Sequence, residues 1–205
     1  MICGCHVNTP NHALQATATR QEIHFRGLKC LLRSSGSVLV AAPQLGLVRP
    51  HMDIRVGSPS DAEAVAGLIA CFQSELTVDP SGAGAERYLA SVSVQAEREY
   101  LASARYRYLL AFSGSELAGF IAIRDGSHLF HLFVDRAHQR QGLGRLLWRQ
   151  ALRELCTPNS EGVFTVNSSL SAVSVYRSFG FAPAGSTQSV DGISFLPMRR
   201  PASLT

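Results

Sequence analysis

Two glycines and two arginines stand together in the middle of the chain, in the segment Gln-Arg-Gln-Gly-Leu-Gly-Arg at residues 139–145. A short apolar run at residues 130–134 is typical of a buried strand, whereas the apolar residues after the segment recur at helical spacing through residue 155. The first turn of a helix has unpaired N–H groups and the positive end of the helix dipole, and glycine leaves those groups open to an anion. The segment therefore predicts a phosphate-binding turn, to which Arg140 and Arg145 add positive charge. A plain strand-to-helix turn stays open as the alternative, since two glycines alone are a weak signal.

The order of the residues in this segment carries more information. Gln139-Arg140-Gln141-Gly142-Leu143-Gly144 follows the pattern Q/R-x-x-G-x-G/A, which resembles the acetyl-CoA site of the GNAT acetyltransferase superfamily. It differs from the G-x-G-x-x-G of dinucleotide-binding folds and from the P-loop, which ends in Gly-Lys-Ser/Thr. A second stretch is similar to the closing motif of the same superfamily: Val166-Asn167-Ser168-Ser169, Ala172, Tyr176 and Phe179-Gly180-Phe181. The resemblance runs from about residue 53 to residue 200.

The resemblance implies a function and a set of binding residues. It implies an N-acetyltransferase that moves an acetyl group from acetyl-CoA to a primary amine of a small molecule, peptide or protein by direct transfer. A module that binds acyl-CoA without turnover is the alternative. The turn would wrap the CoA pyrophosphate, and the preceding strand would bind the pantetheine arm through its backbone. The implied cofactor-binding residues are Leu132, Phe133, Val134, Gln139, Arg140, Gln141, Gly142, Leu143, Gly144, Arg145 and Asn167.

Direct transfer needs an amine that has lost its proton, and a lysine-like amine with a pKa of ~10.4 is mostly protonated at pH 7. A general base contributes ~10²–10⁴-fold to such a reaction. His128 and His131 lie on the strand before the glycine turn, and histidine is suited to proton transfer near pH 7. Because they are three residues apart, we expect them to point to opposite faces unless a bulge intervenes. The resemblance implies that Tyr176 hydrogen-bonds or protonates the departing thiolate; packing on its helix is the other interpretation.

Charge is distributed unevenly along the 205 residues, which carry a net charge of +4. Residues 1–51 hold five basic residues against one acid, whereas residues 52–205 hold fourteen of each. The folded part therefore offers no electrostatic case for nucleic-acid binding, although a basic arm at residues 1–51 that binds DNA stays open. We expect no metal site, because Cys3, Cys5 and His6 have no second ligand pair after them. No apolar run approaches the ~18 residues of a membrane helix, so we expect a cytoplasmic protein and leave a homodimer open.

The chain divides into two parts by pattern. Residues 1–51 show no sustained period and are expected to form a poorly structured extension, or sequence upstream of a true start at Met52. Residues 52–205 are expected to form the GNAT domain, an α/β fold whose mixed, mostly antiparallel central sheet is flanked by helices. The loops at residues 79–84 and 185–191, here called the acceptor loops, are expected to contact the acceptor, but they carry no diagnostic chemistry.

Several local signals locate the elements of this domain. Ser60 to Glu63 reads as a capping box that starts the first helix. A second helical region is expected over residues 85–102, broken near residues 91–93, with Glu97 and Glu99 on a charged, solvated face. Further strands are expected around residues 108–112, 117–123, 128–134 and 162–167, a helix over residues 171–179, and a final hairpin over residues 185–198. Asp125-Gly126 predicts the turn into the strand that carries both histidines.

Overall fold

The computed structural model describes residues 52–159 and 161–202. The expected extension at residues 1–51 and its cysteine and histidine ligand candidates lie outside these residues, so the boundary near residue 52 stays a prediction. Eight strands occur in the described residues: β1 (Met52–Val56), β2 (Tyr106–Ser113), β3 (Glu116–Arg124), β4 (His128–Val134), β5 (Val163–Ser169), β6 (Ala182–Pro183), β7 (Gln188–Val190) and β8 (Ile193–Pro201). Six α-helices accompany them there: α1 (Ala62–Ala70), α2 (Gln73–Leu76), α3 (Glu86–Ser91), α4 (Val94–Ala102), α5 (Leu143–Glu154) and α6 (Val173–Ser178).

The strands form one sheet in the order β1-β2-β3-β4-β5-β8-β6, and β7 pairs with β8. Every neighbouring pair is antiparallel except β4 and β5, which run parallel. The predicted turn between β3 and β4 is present, and Asp125 and Gly126 adopt φ angles of +50° and +70° there, a region that Asp and Gly enter more readily than other residues. The mixed, mostly antiparallel α/β fold predicted from the sequence is confirmed.

Helices cover both faces of the sheet. α5 packs on β2, β3 and β4, and it does so through apolar residues at helical spacing: Leu143, Leu147, Trp148 and Ala151. Gly144 of α5 approaches Val134, whereas Glu97 of α4 is hydrogen-bonded to Tyr108 of β2. Strand alternation turns Val134 and Tyr108 to opposite faces of the sheet, so α5 covers one face while α4, which packs against α1, covers the other.

The first helix begins differently from the prediction. Its capping box consists of Ser58 and Asp61 rather than Ser60 and Glu63. The Asp61 carboxylate accepts hydrogen bonds from the Ser58 amide at 2.8 Å and from the Ser58 hydroxyl at 2.9 Å. A 3-10 turn over Pro59–Asp61 leads directly into α1. Proline has a helix-compatible φ and no N–H to lose at the first helical position. The N-cap is therefore Ser58, two residues closer to the N-terminus than the predicted Ser60.

Other element boundaries agree with the sequence pattern to within a few residues. The helical region expected over residues 85–102 forms as α3 and α4, and the Ser93 hydroxyl caps α4 by accepting the Ala96 N–H at 3.3 Å. The helix expected over residues 171–179 forms in two parts, a 3-10 turn at Leu170–Ala172 and then α6. The short strand β6 was not predicted.

The helices of residues 52–159 and 161–202 are short. The longest, α5, has 12 residues, and a membrane-spanning helix takes ~20. None of the described helices combines the length and the apolar character needed to cross a membrane.

Candidate active site

The sheet opens between β4 and β5. These two strands pair only at His128 with Thr165 and at Leu129 with Val166, although β4 continues to Val134 and β5 to Ser169. The second edge of β4 is therefore not covered by β5 beyond its first two residues. This opening gives a ligand access to backbone that would otherwise lie inside a continuous sheet.

Two cavities lie along this opening, and each takes part of its wall from β4. The strand cavity, of about 250 Å³, is lined by Leu76, Tyr88, Ser91, Val92, Arg124, His128, Phe130, His131, Leu132, Phe133, Asn167, Ser169, Tyr176, Ile193, Ser194 and Phe195. The loop cavity, of about 180 Å³, is lined by Val134, His138, Gln139, Arg140, Gly142, Leu143, Gly144, Arg145, Val175, Ser178 and Phe179. Phe133 and Tyr176 line the strand cavity, and the next residue of β4, Val134, and the preceding residue of α6, Val175, line the loop cavity, so the cavities are neighbours.

The loop cavity has the features of an anion site. The first hydrogen bond of α5 is donated by the Leu146 N–H to the Gly142 carbonyl at 3.0 Å, so the amides of Leu143, Gly144 and Arg145 have no acceptor within the helix. Gly142 adopts a φ of +88°, and a Cβ there would meet no atom within 4 Å. A Cβ on Gly144 would meet only the Val134 side chain, at 3.8 Å. The glycines therefore leave open space in front of a helix N-terminus, a space that fits a diphosphate.

The two glutamines of the segment hold the loop in shape. The side-chain amide of Gln139 donates to the Val134 carbonyl at 3.1 Å, and that of Gln141 donates to the Ala137 carbonyl at 2.8 Å. Gln139 also lines the loop cavity, whereas Gln141 lines neither cavity. These two predicted binding residues thus donate hydrogen bonds to the protein's own backbone. Arg140, Arg145 and the residues at the start of α5 line the loop cavity.

The two histidines of β4 share one face of the sheet, because a bulge, the exception that the prediction allowed, lies between them. The register between β3 and β4 shifts by one residue, since Ala122 pairs with His131 while Ile123 pairs with Leu129. Phe130 is the extra residue of this bulge, and a bulge reverses the alternation beyond it. His128 and His131 consequently both line the strand cavity.

Behind His131 lies a carboxyl group, that of Glu97, which is fully buried. One oxygen of Glu97 accepts a hydrogen bond from the Tyr108 hydroxyl at 2.8 Å, and the other lies 3.2 Å from Nε2 of His131. The prediction that Glu97 belongs to a solvated helix face is wrong, whereas Glu99 is exposed as expected. A carboxylate can only accept hydrogen bonds, so this pair directs the His131 proton to Nε2 and leaves Nδ1 as an acceptor.

His128 has a different environment. Its Nδ1 lies 2.8 Å from the Thr165 hydroxyl, across the only paired part of β4 and β5. Burial, together with the positive charges of Arg124 and of His131 when protonated, lowers the pKa of His128 to about 4. His128 is therefore neutral at pH 7 and a weak base, and it contributes to joining the two strands.

Tyr176 and Asn167 lie on the opposite wall of the strand cavity from β4, on α6 and β5. Tyr176 is buried, and burial raises the pKa of its phenol above the usual value. Its hydroxyl makes no hydrogen bond within the described part of the chain, so it keeps a proton that it can donate to a ligand. The exposed Asn167 side chain also borders the cavity.

The chain segments at the ends of the two acceptor loops contact each other. The Val78 N–H donates to the Gly192 carbonyl at 2.8 Å, and a Cβ on Gly192 would lie 2.4 Å from the Gly84 carbonyl oxygen. This backbone-to-backbone contact continues into residues 193–195, which line the cavity. Residues 79–84 and 185–191 are not among the residues that line the strand cavity, so their contact with the acceptor stays a prediction.

Sequence reasoning missed Glu97 and Arg124 as residues of the site. A signal for Glu97 was present, since it shares a helix face with Tyr100 and Leu101 at spacings of three and four. Arg124 shares the face of Ala122, opposite His131, by the alternation of β3, but the sequence does not show that this face borders a cavity. Within the described residues no cluster of three or more His, Cys, Asp or Glu side chains could hold a metal ion.

Comparisons with known proteins agree with this geometry. Residues 76–201 match the family model described as the acetyltransferase (GNAT) domain. A GCN5-related N-acetyltransferase of Rhodopseudomonas palustris has a similar structure, with a TM-score of 0.57 and 19% identity over 73% of this chain and 94% of that one. No curated protein sequence matches the chain significantly.

Two further solved structures share the fold at similar identities. The PaiA N-acetyltransferase of Thermoplasma acidophilum, solved with coenzyme A, gives a TM-score of 0.52 and 19% identity over 74% of this chain and 99% of that one. The ribosomal-protein-S18-alanine N-acetyltransferase of Escherichia coli gives a TM-score of 0.52 and 21% identity over 76% of this chain and 96% of that one. At these identities the likeness shows the fold and says nothing of the acceptor.

Proposed function

Because this chain belongs to the GNAT acetyltransferase family, whose members use acetyl-CoA, we propose that it acetylates a primary amine of a small molecule or peptide by direct transfer. Acetyl-CoA supplies a thioester whose C–S bond breaks as the N–C bond forms, giving the N-acetyl amine and the free CoA thiol. The observation that carries the proposal is that an anion-binding loop cavity adjoins a strand cavity containing a buried Glu–His pair and a protonated tyrosine.

The loop cavity is proposed to bind the CoA pyrophosphate. The amides at the start of α5 point their N–H groups at the anion, and Arg140 and Arg145 add charge at the same place. The part of β4 at residues 132–134, which does not pair with β5, then orients the pantetheine arm toward the strand cavity. These contacts fix the position of the reacting carbon, and positioning of this kind can contribute up to ~7–11 kcal/mol.

His131 is proposed as the general base. Glu97 holds Nε2–H, so Nδ1 can accept the proton that the amine must lose. Once His131 is protonated, the nearby carboxylate stabilises the positive charge on its ring. His128 has no such partner, and its pKa of about 4 makes it a weak base at pH 7.

Tyr176 is proposed to donate its hydroxyl proton in a hydrogen bond to the departing thiolate. A buried phenol stays protonated at neutral pH, and a hydrogen bond to a developing anion is stronger where water is excluded. Asn167 is proposed to bind the cofactor beside it. Neither role depends on the identity of the acceptor.

The test is a panel of amines incubated with the purified protein and several acyl-CoA donors, with release of free CoA thiol as the readout. We expect thiol release with at least one amine, and acetyl-CoA as the preferred donor. Calorimetric binding of CoA without thiol release from any amine would favour the acyl-CoA-binding module instead. Absence of any heat from CoA would contradict both.

A further inference from the structure

Arg124 brings a positive charge into the strand cavity. It ends β3 opposite His128 in the register, on the face of the sheet that also carries His131. Its guanidinium carbon lies 5.5 Å from the centre of the Phe130 ring, and that ring lies 4.0 Å from the ring of His131. Among the described residues that line this cavity, Arg124 is the only Asp, Glu, Lys or Arg.

The charge of Arg124 is poorly compensated by the protein. The nearest carboxylate is that of Asp125, whose Oδ2 lies 3.9 Å from Nε of Arg124. Both oxygens of Asp125 are already bound by Arg105, at 2.8 and 2.7 Å. Within residues 52–159 and 161–202, the Arg124 guanidinium donates no hydrogen bond, so its planar set of N–H groups is available to a ligand.

The strand cavity is thus electrically polarised. Its negative end is Glu97, behind His131, and its positive end is Arg124, over the Phe130 ring. A simple alkylamine enters as a cation and is repelled by Arg124. An amine that also carries an anion is attracted at both ends, with the amine toward His131 and the anion on the guanidinium.

We propose that the acceptor is a small amine that carries a carboxylate or phosphate group, and that Arg124 selects it by binding that group. This inference rests on the proposed function, because it names the substrate class of the same cavity. The apolar and aromatic residues of the cavity, such as Tyr88, Phe130 and Phe195, suit an acceptor with an apolar body between its two charged groups.

The experiment compares amines in matched pairs that differ only in the anionic group. The pairs are phenylalanine and phenylalaninamide, 4-aminobutyrate and butylamine, and phosphoethanolamine and ethanolamine. We expect kcat/KM for CoA release to be about 10- to 100-fold higher for the anionic member of at least one pair, as hydrogen bonds to a charged group imply. The pairs also distinguish a carboxylate from a phosphate.

Variants assign the preference to Arg124. Arg124→Gln should remove the preference through KM for the anionic amine, and Arg124→Lys should keep part of it, since lysine keeps the charge but not the planar fork. Arg107→Gln is the matched control, because Arg107 lies on the neighbouring strand opposite Ile123 and faces away from the cavity. It should leave the preference unchanged.

Binding separates failure of this inference from failure of the proposed function. Calorimetry of each amine pair with the CoA-loaded protein measures the difference in binding affinity between the two amines without any turnover. Tighter binding of the anionic amine by the wild type than by Arg124→Gln supports the inference even if no amine is acetylated. Equal affinity for both members of every pair, together with equal kcat/KM wherever CoA is released, would overturn it.

Discussion

The loop cavity and the strand cavity adjoin each other along β4, yet they are built from different chemistry. The loop cavity uses backbone amides, two glycines and two arginines from one continuous segment. The strand cavity uses side chains from β3, β4, β5, β8, α2, α3 and α6, with the buried Glu97 behind it. The difference separates cofactor binding from catalysis. Changes in the loop cavity should alter the affinity for acetyl-CoA, and changes in the strand cavity should alter turnover.

The largest effect is expected from breaking the Glu97–His131 pair. His131→Gln removes the proposed base, and Glu97→Gln removes the group that orients it, so each should lower kcat by about 10²–10⁴-fold. Steady-state kinetics with a saturating amine measure this, and KM for acetyl-CoA should stay within about twofold. His128→Gln is the comparison variant, and its loss should be much smaller. A larger loss from His128→Gln than from His131→Gln would reverse the assignment.

Tyr176→Phe should have the next largest effect. It removes one hydroxyl and keeps the ring that packs against Phe179 and Phe181. We expect kcat to fall about 10- to 100-fold, the range for a hydrogen bond to a charged group, with the affinity for CoA barely changed. The melting temperature serves as the structural control. Unchanged turnover would leave Tyr176 with a packing role only.

Gly144→Ala tests the loop cavity, where we expect a change in the affinity for acetyl-CoA rather than in turnover. Alanine is the better helix former by up to ~1 kcal/mol, and its Cβ would meet only Val134 at an ordinary contact distance, so the fold should become more stable. The same methyl group stands in front of the helix amides, so KM for acetyl-CoA should rise about tenfold at nearly constant kcat.

Gly67→Ala provides the matched control for that variant. Gly67 lies within α1, and a Cβ there would meet nothing within 4 Å. It should give a similar gain in stability, measured by denaturant unfolding, with no change in KM. An unchanged KM in Gly144→Ala as well would contradict the proposed phosphate site.

The smallest effect on catalysis is expected at Asp61, a carboxylate outside both cavities. The Arg55 guanidinium donates to it at 2.9 and 2.6 Å and, with the Ser58 amide, lowers the pKa of Asp61 to about 2. A lowered pKa stabilises the fold above the unfolded value of 3.8, and this contribution is lost as the pH falls toward 2. Asp61→Asn should cost about 1–2 kcal/mol at pH 7, after allowing for the half-exposed Arg55.

Two measurements check this last prediction. Denaturant unfolding between pH 2 and pH 7 should show a smaller loss of stability below pH 4 in Asp61→Asn than in the wild type. The kcat of the variant should equal that of the wild type. A fall in kcat would mean that the start of α1 and the strand cavity are coupled.

How far the sequence predicts the site depends on how local each part is. Most of the loop cavity comes from residues 134–145, so helix-end chemistry and the pattern at residues 139–144 were enough to predict the glycine turn at the start of α5, whereas the wall from residues 175–179 was not predicted. The shared face of His128 and His131 was not predictable, because the bulge at Phe130 depends on the register with β3. The burial of Glu97 depends on how α4 packs against β2, which a single helix does not reveal. Arg124 reaches the site by the simple alternation of β3, which puts it on the face of Ala122, but the sequence does not show that this face borders a cavity.

The short pairing between β4 and β5 offers a way to measure whether a ligand is bound between these strands. Two residue pairs and the contact between His128 and Thr165 hold the two halves of the sheet together along this line. A molecule bound in the gap between β4 and β5 contacts both halves of the sheet and links them where the strands themselves do not pair. Binding of the coenzyme should therefore slow amide hydrogen exchange in the strands on both sides of this gap. Protection mapped residue by residue would then report how far along the gap the ligand extends.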